Sequence, residues 1–337
     1  MINSLHIKGL KSIDDQVFEM SPLTIVTGLN STGKSTLLQS VLLIARDNSN
    51  NGARFLADIQ NRFEILRNKY TRPDEINISM KGDGGIECEL SMKCQESVCT
   101  YVKEAPGPVI EQNFFYLSAN RIGPENMASI SNDKICGLNG DALFGTYEKE
   151  KSKPLREELI KDGVSYTLST QVNYWLRHIL GLPIELYTNE VNQMTAEVKY
   201  KSDGIPDIMP SELGAGVSYL AKILILCLRA EAGDLVMIEN PEIHLHPAAQ
   251  SRLGEFLAFV AARGIQIIIE THCDNLINRV RYEVYAGRMA PSDATIYYKE
   301  AITSPFIKIG IKRDGGYDRD FPEGFFDATL SELIEMD

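Results

Sequence analysis

Apolar and polar residues alternate along this chain with two different periods, and each period predicts a type of element. Residues 4–7 and 16–19 alternate as short strands, and residues 23–27 form a wholly apolar strand. From residue 35, Leu37, Leu38, Val41, Leu42 and Ile44 recur at helical spacing, until the polar run Asn48-Ser49-Asn50-Asn51-Gly52 breaks the pattern. A second helix is expected over residues 55–66. Residues 76–118 alternate as strands with Gly-rich turns such as Gly82-Asp83-Gly84-Gly85. Residues 119–165 are rich in turn formers and charge and show no firm period. A helix over 169–180 carries the single tryptophan, Trp175, and stops at Gly181-Leu182-Pro183. Beyond residue 210 the order becomes helix 215–230, strand 235–238, helix 247–262, strand 265–269 and a short helix over 275–280. Strands alternating with helices predict a largely parallel sheet covered on both faces.

Composition narrows the class. A chain of 337 residues can bury one large core or two modest ones, and 44% hydrophobic with 24% charged residues is the mix of a soluble globular protein. Met1-Ile2-Asn3-Ser4 runs straight into strand alternation, and the apolar run Ile223-Leu224-Ile225-Leu226-Cys227-Leu228 is too short to cross a bilayer. A cytoplasmic protein without a membrane segment is expected. The six cysteines keep no disulfide rhythm, and Cys88, Cys94 and Cys99 lack the spacing of a metal knuckle, so they read as structural. A net charge of −12 argues against a surface that grips nucleic acid everywhere, while leaving room for a local basic groove.

Three stretches carry chemistry. Gly28-Leu29-Asn30-Ser31-Thr32-Gly33-Lys34-Ser35-Thr36 matches the phosphate-binding loop G-x-x-x-x-G-K-[ST], with a strand before it and a helix after it. Backbone N–H groups from Asn30 to Lys34 are expected to cradle phosphates, Lys34 to reach the β and γ phosphates, and Ser35 to sit on Mg²⁺. Leu235-Val236-Met237-Ile238-Glu239-Asn240-Pro241-Glu242 describes a buried strand delivering an acid to a sheet edge. There Glu239 would hold the Mg²⁺ water shell and Glu242 would polarise the attacking water. Ile267-Ile268-Ile269-Glu270-Thr271-His272 ends a neighbouring buried strand, placing His272 where it can sense the γ phosphate.

Taken in order, GLNSTGKST, SELGAGVS, LVMIENPEIHLHPAAQ and IIIETHCD resemble the motifs of ABC-type ATPase heads of the SMC/RecF/OLD class. FFYLSANRIGP and the tail FPEGFFDATLSELIEMD resemble a prokaryotic group of stand-alone ATPases of this class with a C-terminal extension. The resemblance implies an α/β P-loop NTPase fold of ABC/SMC-head type. It has a mixed sheet with flanking helices, a β-rich N-terminal lobe and a helical insertion. On this pattern the chain is one ATPase head, divided into N-terminal strands and Walker A (1–46), an insertion lobe (47–210), a signature, Walker B and switch-histidine core (211–285) and a C-terminal extension (286–337).

It also implies that ATP lies between two subunits. The signature Leu213-Gly214-Ala215-Gly216-Val217-Ser218 of one copy would face the phosphate loop of the other, with Leu213, Gly214, Gly216 and Ser218 acting in trans. His272 matches the switch histidine and His244 to His246 the D-loop. ATP and Mg²⁺ are the implied cofactors. The partners are a second copy of the chain and a separately encoded effector, in antiphage defence or genome maintenance. Three departures from the pattern stand out. Gly214 replaces the signature serine, leaving contact to Ser218 or to backbone N–H groups. Asn240 stands where the general base is usual, so turnover is expected to be slow unless Glu242 or Glu239 substitutes. Gln39 and Gln112 are both weak candidates for the glutamine loop.

A RecF-like DNA-binding repair ATPase is the alternative, with Lys199, Lys201, Arg279, Arg281, Lys308, Lys312 and Arg313 as the groove. A GTPase is disfavoured by the missing N-K-x-D, since Asn132-Asp133-Lys134 has the wrong order. A kinase would need an acceptor pocket and lid that the sequence does not display.

Overall fold

The computed structural model describes residues 1–48, 52–59, 62–93, 96–103, 107–161, 163 and 165–322. The tail motif FPEGFFD therefore lies outside the described residues beyond Pro322, as does Cys94, and the side chain of Cys99 is not described.

The strands are β1 (Ile2–Leu10), β2 (Ile13–Glu19), β3 (Leu23–Gly28), β4 (Glu75–Gly82), β5 (Glu87–Lys93), β6 (Glu96–Lys103), β7 (Phe114–Leu117) and β8 (Met127–Ser129). The chain continues with β9 (Ile184–Asn192), β10 (Thr195–Ser202), β11 (Ile205–Ile208), β12 (Leu235–Glu239), β13 (Gln266–Glu270), β14 (Ala294–Lys299) and β15 (Ile307–Gly310). The helices are α1 (Ser35–Asn48), α2 (Gly52–Phe55), α3 (Phe63–Leu66), α4 (Leu143–Glu150), α5 (Leu168–Leu180), α6 (Ala215–Arg229), α7 (Pro247–Ala261) and α8 (Asp274–Tyr285).

A six-stranded sheet in the order β15-β14-β3-β13-β12-β7 organises the molecule. Its strands run parallel except β15, which pairs antiparallel with β14. Because both faces are covered, these strands are apolar throughout rather than alternating. Leu23, Ile25, Val236, Ile238, Ile267 and Ile269 join the core under α5, α6, α7 and α8. Their neighbours Val26, Leu235, Met237 and Ile268 join a second core shared with α1 and the antiparallel sheet β2-β1-β4-β5-β6. A smaller sheet, β11-β10-β8 with β9 beside β10, is the third layer. Strands from all four stretches expected as separate parts of the head therefore meet in one sheet: β3, β7, β12 with β13, and β14 with β15.

Two expectations change. The single helix over 55–66 is absent; the described residues form the short helices α2 and α3 with turns between them. The last strand of the 76–118 series, β7, leaves the antiparallel sheet and pairs parallel with β12. Alternation announces a strand, but sheet membership is decided by distant partners.

Candidate functional site: the carboxyl edge of the central sheet

The carboxyl ends of β3, β13 and β12 lie side by side, which is where open α/β sheets present their ligand crevice. The loop between β3 and α1 is shaped by its glycines. Gly28 has φ +137°, and a Cβ there would lie 2.1 Å from the Lys299 carbonyl oxygen, so only glycine fits. Gly33 has φ +96°, and a Cβ there would meet the Ser12 hydroxyl at 2.1 Å. Leu29 N–H donates to the Lys299 carbonyl at 3.1 Å, and Thr32 Oγ1 donates to the Leu29 carbonyl at 2.9 Å. Ser12 Oγ lies 3.2 Å from Thr36 Oγ1. Among the described residues, the N–H groups of Asn30, Ser31, Thr32, Gly33 and Lys34 find no acceptor. A run of free N–H donors at the start of α1 is an anion-binding concavity.

Lys34 is almost wholly buried and donates through Nζ to the Leu29 carbonyl at 2.6 Å. Burial pulls its pKa below the ordinary lysine value, and the charge of Glu270 opposes that shift. Asn30, Ser31, Gly33, Lys34, Ser35, Glu270 and His272 together line a cleft of about 560 Å³. A second cleft, of about 410 Å³, shares Gly33 and Ser35 with it and is lined also by Lys11, Thr36, Gln39, Ile65, Tyr70 and Ile302. Gln39 thus lies beside the loop, whereas Gln112 is an exposed turn residue whose N–H donates to the Val109 carbonyl.

The acids separate in a way that their sequence positions do not foretell. Ser35 Oγ donates to Glu270 Oε1 at 3.1 Å, which makes Glu270 the acid beside the loop hydroxyl. Glu239 has both oxygens engaged on the far side, accepting from Tyr116 O–H at 2.7 Å and from Ala119 N–H at 3.0 Å. The reason is strand order: β13 lies between β3 and β12, so Glu270 stands one strand from the loop and Glu239 two. Burial raises the pKa of Glu270, and the neighbouring charges of Glu239 and Glu242 add to the rise. Burial raises Glu242 likewise; its Oε1 accepts from His272 N–H at 3.3 Å. Among the described residues, the second oxygens of Glu242 and Glu270 are buried without a hydrogen-bond partner.

Asn240 sits at φ +43°, and its N–H donates to the Glu270 carbonyl at 2.7 Å. His272 lines the loop cleft. Burial, and then Lys34, hold its pKa below the ordinary histidine value.

Arg121, quoted within a resembling stretch but given no role, proves central. It is almost wholly buried, and donates to the carbonyls of Ser118 at 3.2 Å, Glu239 at 2.7 Å and Asn240 at 2.5 Å. Its guanidinium lies 5.3 Å from the Tyr219 ring centre, and Tyr219 stacks on His244 at 5.4 Å. The end of β12, the signature helix α6 and the D-loop position are thereby tied together. The buried Lys222 of α6 makes a further tie, donating to the Ile122 carbonyl at 3.0 Å and pairing with Glu125. An arginine or lysine aimed at carbonyls leaves no periodic mark in a sequence, which is why both were missed.

The signature residues divide. Gly214 caps α6, is exposed, and has nothing within 4 Å of where a Cβ would stand. Leu213 is half-buried. Gly216 is packed so closely on the D-loop that a Cβ would lie 2.4 Å from the His244 carbonyl oxygen. Ser218 is fully buried next to Tyr200 in the single chain. Among the D-loop residues, His246 caps α7 by accepting Ala248 N–H at 3.3 Å, and His244 takes φ +62°.

The donor set fits a nucleotide-bound Mg²⁺: a loop hydroxyl at Ser35 and buried carboxylate oxygens lacking a partner. Among the described residues, no cluster of three or more His, Cys, Asp or Glu residues could hold a metal ion by itself. No helix among the described residues is long and apolar enough to cross a membrane.

Comparison with known proteins places this geometry. The family model "AAA domain" matches residues 4–162. The model "AAA domain, putative AbiEii toxin, Type IV TA system" matches residues 140–278. No curated protein matches the chain. Among solved structures, an SMC head bound to the C-winged helix domain of ScpA superposes with a TM-score of 0.62 at 13% identity, over 93% of this chain and 98% of that one. An SMC head with an extended coiled coil, bound to the C-terminal domain of ScpA and derived from Pyrococcus furiosus, gives 0.59 at 12% identity, over 100% and 99%. The SMC head domain from Thermotoga maritima gives 0.50 at 12%, over 91% and 98%.

Proposed function

We propose that this AAA-type chain, folded as an SMC head, is an ATP-dependent dimerising switch that binds ATP, hydrolyses it slowly and thereby controls a partner protein. One observation carries the dimeric reading. The cleft of the phosphate loop is lined by that loop, Glu270 and His272, and by nothing from residues 213–218. The exposed start of α6 at Gly214 has no part in the cleft of its own chain, so it is free to meet the phosphates of a second copy.

In this reading the free N–H groups of Asn30 to Lys34 and the Lys34 ammonium take the phosphates. Ser35 would hold Mg²⁺, which would supply charge neutralisation to the phosphates. The base and ribose lie in the adjoining cleft, where Ile65, Tyr70 and Ile302 keep 41%, 58% and 40% of their surface exposed. His272 hydrogen-bonds the γ phosphate. Glu242, raised in pKa and with one oxygen free, accepts the proton of the attacking water in place of Asn240. Backbone N–H groups at Gly214 and Ala215 make the contact in trans, because Ser218 is turned inward.

A separate effector is supported by the ScpA domains bound to two of the similar SMC heads. The toxin-system description of the family model over residues 140–278 supports a role in defence. In the groove named for the DNA-binding alternative, Lys312 and Arg313 are exposed and Arg281 donates to the Gly315 carbonyl. Lys199, Lys201, Arg279 and Lys308 are each paired with carboxylates.

Gel filtration of wild type and Lys34→Ala, each with and without ATP and Mg²⁺, tests the reading. Nucleotide should shift wild type to a dimer, or tighten an existing assembly, and leave the variant unmoved. Identical elution of both proteins under all conditions would remove the switch.

A further inference from the structure

Helix α8 buries one face and leaves another bare. Leu276, Ile277, Val280 and Val284 lie in the core, while Asn278, Tyr282 and Tyr285, spaced by four and then three residues, are exposed. Tyr282 keeps 49% and Tyr285 63% of its surface in solvent, and their ring centres lie 6.1 Å apart. The guanidinium groups of Arg279 and Arg288 each stand 5.3 Å from the Tyr282 ring centre, so cations flank the aromatic stripe. Arg279 pairs with Glu255 and Glu283, and Arg288 shares Glu283. Arg281 donates to the Gly315 carbonyl and pairs with no carboxylate among the described residues. The face is aromatic and carries an arginine charge that no described acid neutralises.

We propose that this face is the docking surface for residues 323–337 of the same chain. The first ground is where that segment starts. Phe321 packs edge-on against Tyr317 with ring centres 4.9 Å apart, and the Arg281 guanidinium lies 5.0 Å from the Tyr317 ring. Gly315 is so near α8 that a Cβ there would come within 3.1 Å of the Tyr285 Cβ. The residues following Pro322 therefore begin next to the stripe. The second ground is sequence pattern. Phe326, Leu330 and Leu333 recur at spacings of four and three, the spacing of the exposed stripe itself, with Ile334 beside them. The third ground is charge. Glu323, Asp327, Glu332, Glu335 and Asp337 are all acidic, and the segment contains no lysine or arginine to offset them. Length suits as well: a helix over residues 323–337 would span roughly 22 Å, against roughly 18 Å for the 12 residues of α8. So short a helix is marginal alone and needs a surface to pack on. Tethering at Phe321 presents the segment at an effective concentration on the order of millimolar, which favours its own chain over a second copy or a free protein.

Hydrogen–deuterium exchange, read by mass spectrometry, compares the full chain with one stopped after Pro322. Exchange in α8 should be on the order of tenfold faster in the stopped chain, and a synthetic peptide of residues 323–337 should slow it again. High salt should weaken the effect of the peptide, since charge helps to bring it there. If the stopped chain does not fold, the full chain carrying Tyr282→Ser and Tyr285→Ser replaces it. Exchange in residues 323–337 should then speed up while β3, β12 and β13 stay as protected as in wild type. Equal α8 exchange in the full and stopped chains, or a peptide that protects some other surface, overturns the docking. So does unchanged exchange of residues 323–337 in the double variant. Protection of α8 that rises with protein concentration would put the segment on a second copy and overturn the same-chain assignment. None of these measurements requires nucleotide.

Discussion

Asn240 shows how a backbone requirement can select a side chain at the end of β12. Its φ of +43° lies in the left-handed region that asparagine tolerates better than glutamate, and its N–H is committed to the Glu270 carbonyl. The amide that reads in the sequence as a missing base is, in the structure, a turn residue holding two strand ends together. Lys299 poses a different problem. It is fully buried at the end of β14, and its ammonium donates to the carbonyls of Ser12 at 3.1 Å and of Ser304. Burial lowers its pKa from 10.5 to about 8. Between those two values the unfolded chain binds a proton that the folded chain has released, so stability gains with rising pH across that window. Below about pH 8 the folded chain must carry the buried charge, and the gain is absent. Urea unfolding of wild type and Lys299→Met from pH 7 to 10 should therefore show the difference moving in favour of wild type above pH 8. The slope should be on the order of 1 kcal/mol per pH unit. A difference that stays flat across the range would contradict a depressed Lys299.

At the scale of elements, α6 carries two glycines with opposite duties. Gly216 lets the helix lie against the His244 carbonyl, while Gly214 meets open space. Gly216→Ala should cost about 1–3 kcal/mol through overpacking, seen as a lower melting temperature. Gly214→Ala should leave the melting temperature within a degree or so of wild type, since surface changes of this kind are worth about ±0.5 kcal/mol. If both alanines proved equally tolerated, the close packing of α6 on the D-loop would be wrong. Ser218 is inward-facing because it shares a stripe with Ala221 and Ile225, at helical spacings of three and seven, and that stripe is buried. The expected helix over 55–66 failed because an apolar period cannot tell one long helix from two short ones joined by turns. The parallel strands were legible for the opposite reason: burial on both faces writes an unbroken apolar run.

Among the described residues, a central sheet that is parallel but for β15 lies between two cores, and the loops at its carboxyl edge line a crevice. On the proposed reading, a dimer closed on ATP should persist when the proton acceptor is removed. Glu242→Gln is expected to keep nucleotide binding, lower turnover by about 10²-fold or more and prolong the nucleotide-bound assembly, measured by phosphate release and sedimentation velocity. Unchanged turnover would move the base elsewhere. Local order was enough for the phosphate loop, the apolar strands and the acids that end them, because glycine geometry and two-sided burial are written residue by residue. The order of the strands across the sheet was not local. Placing β13 between β3 and β12 decided that Ser35 meets Glu270 and that Glu239 turns toward Tyr116. The same long-range packing brought Arg121 under the end of β12, more than a hundred residues along the chain, where its fork satisfies carbonyls that no sequence period announces.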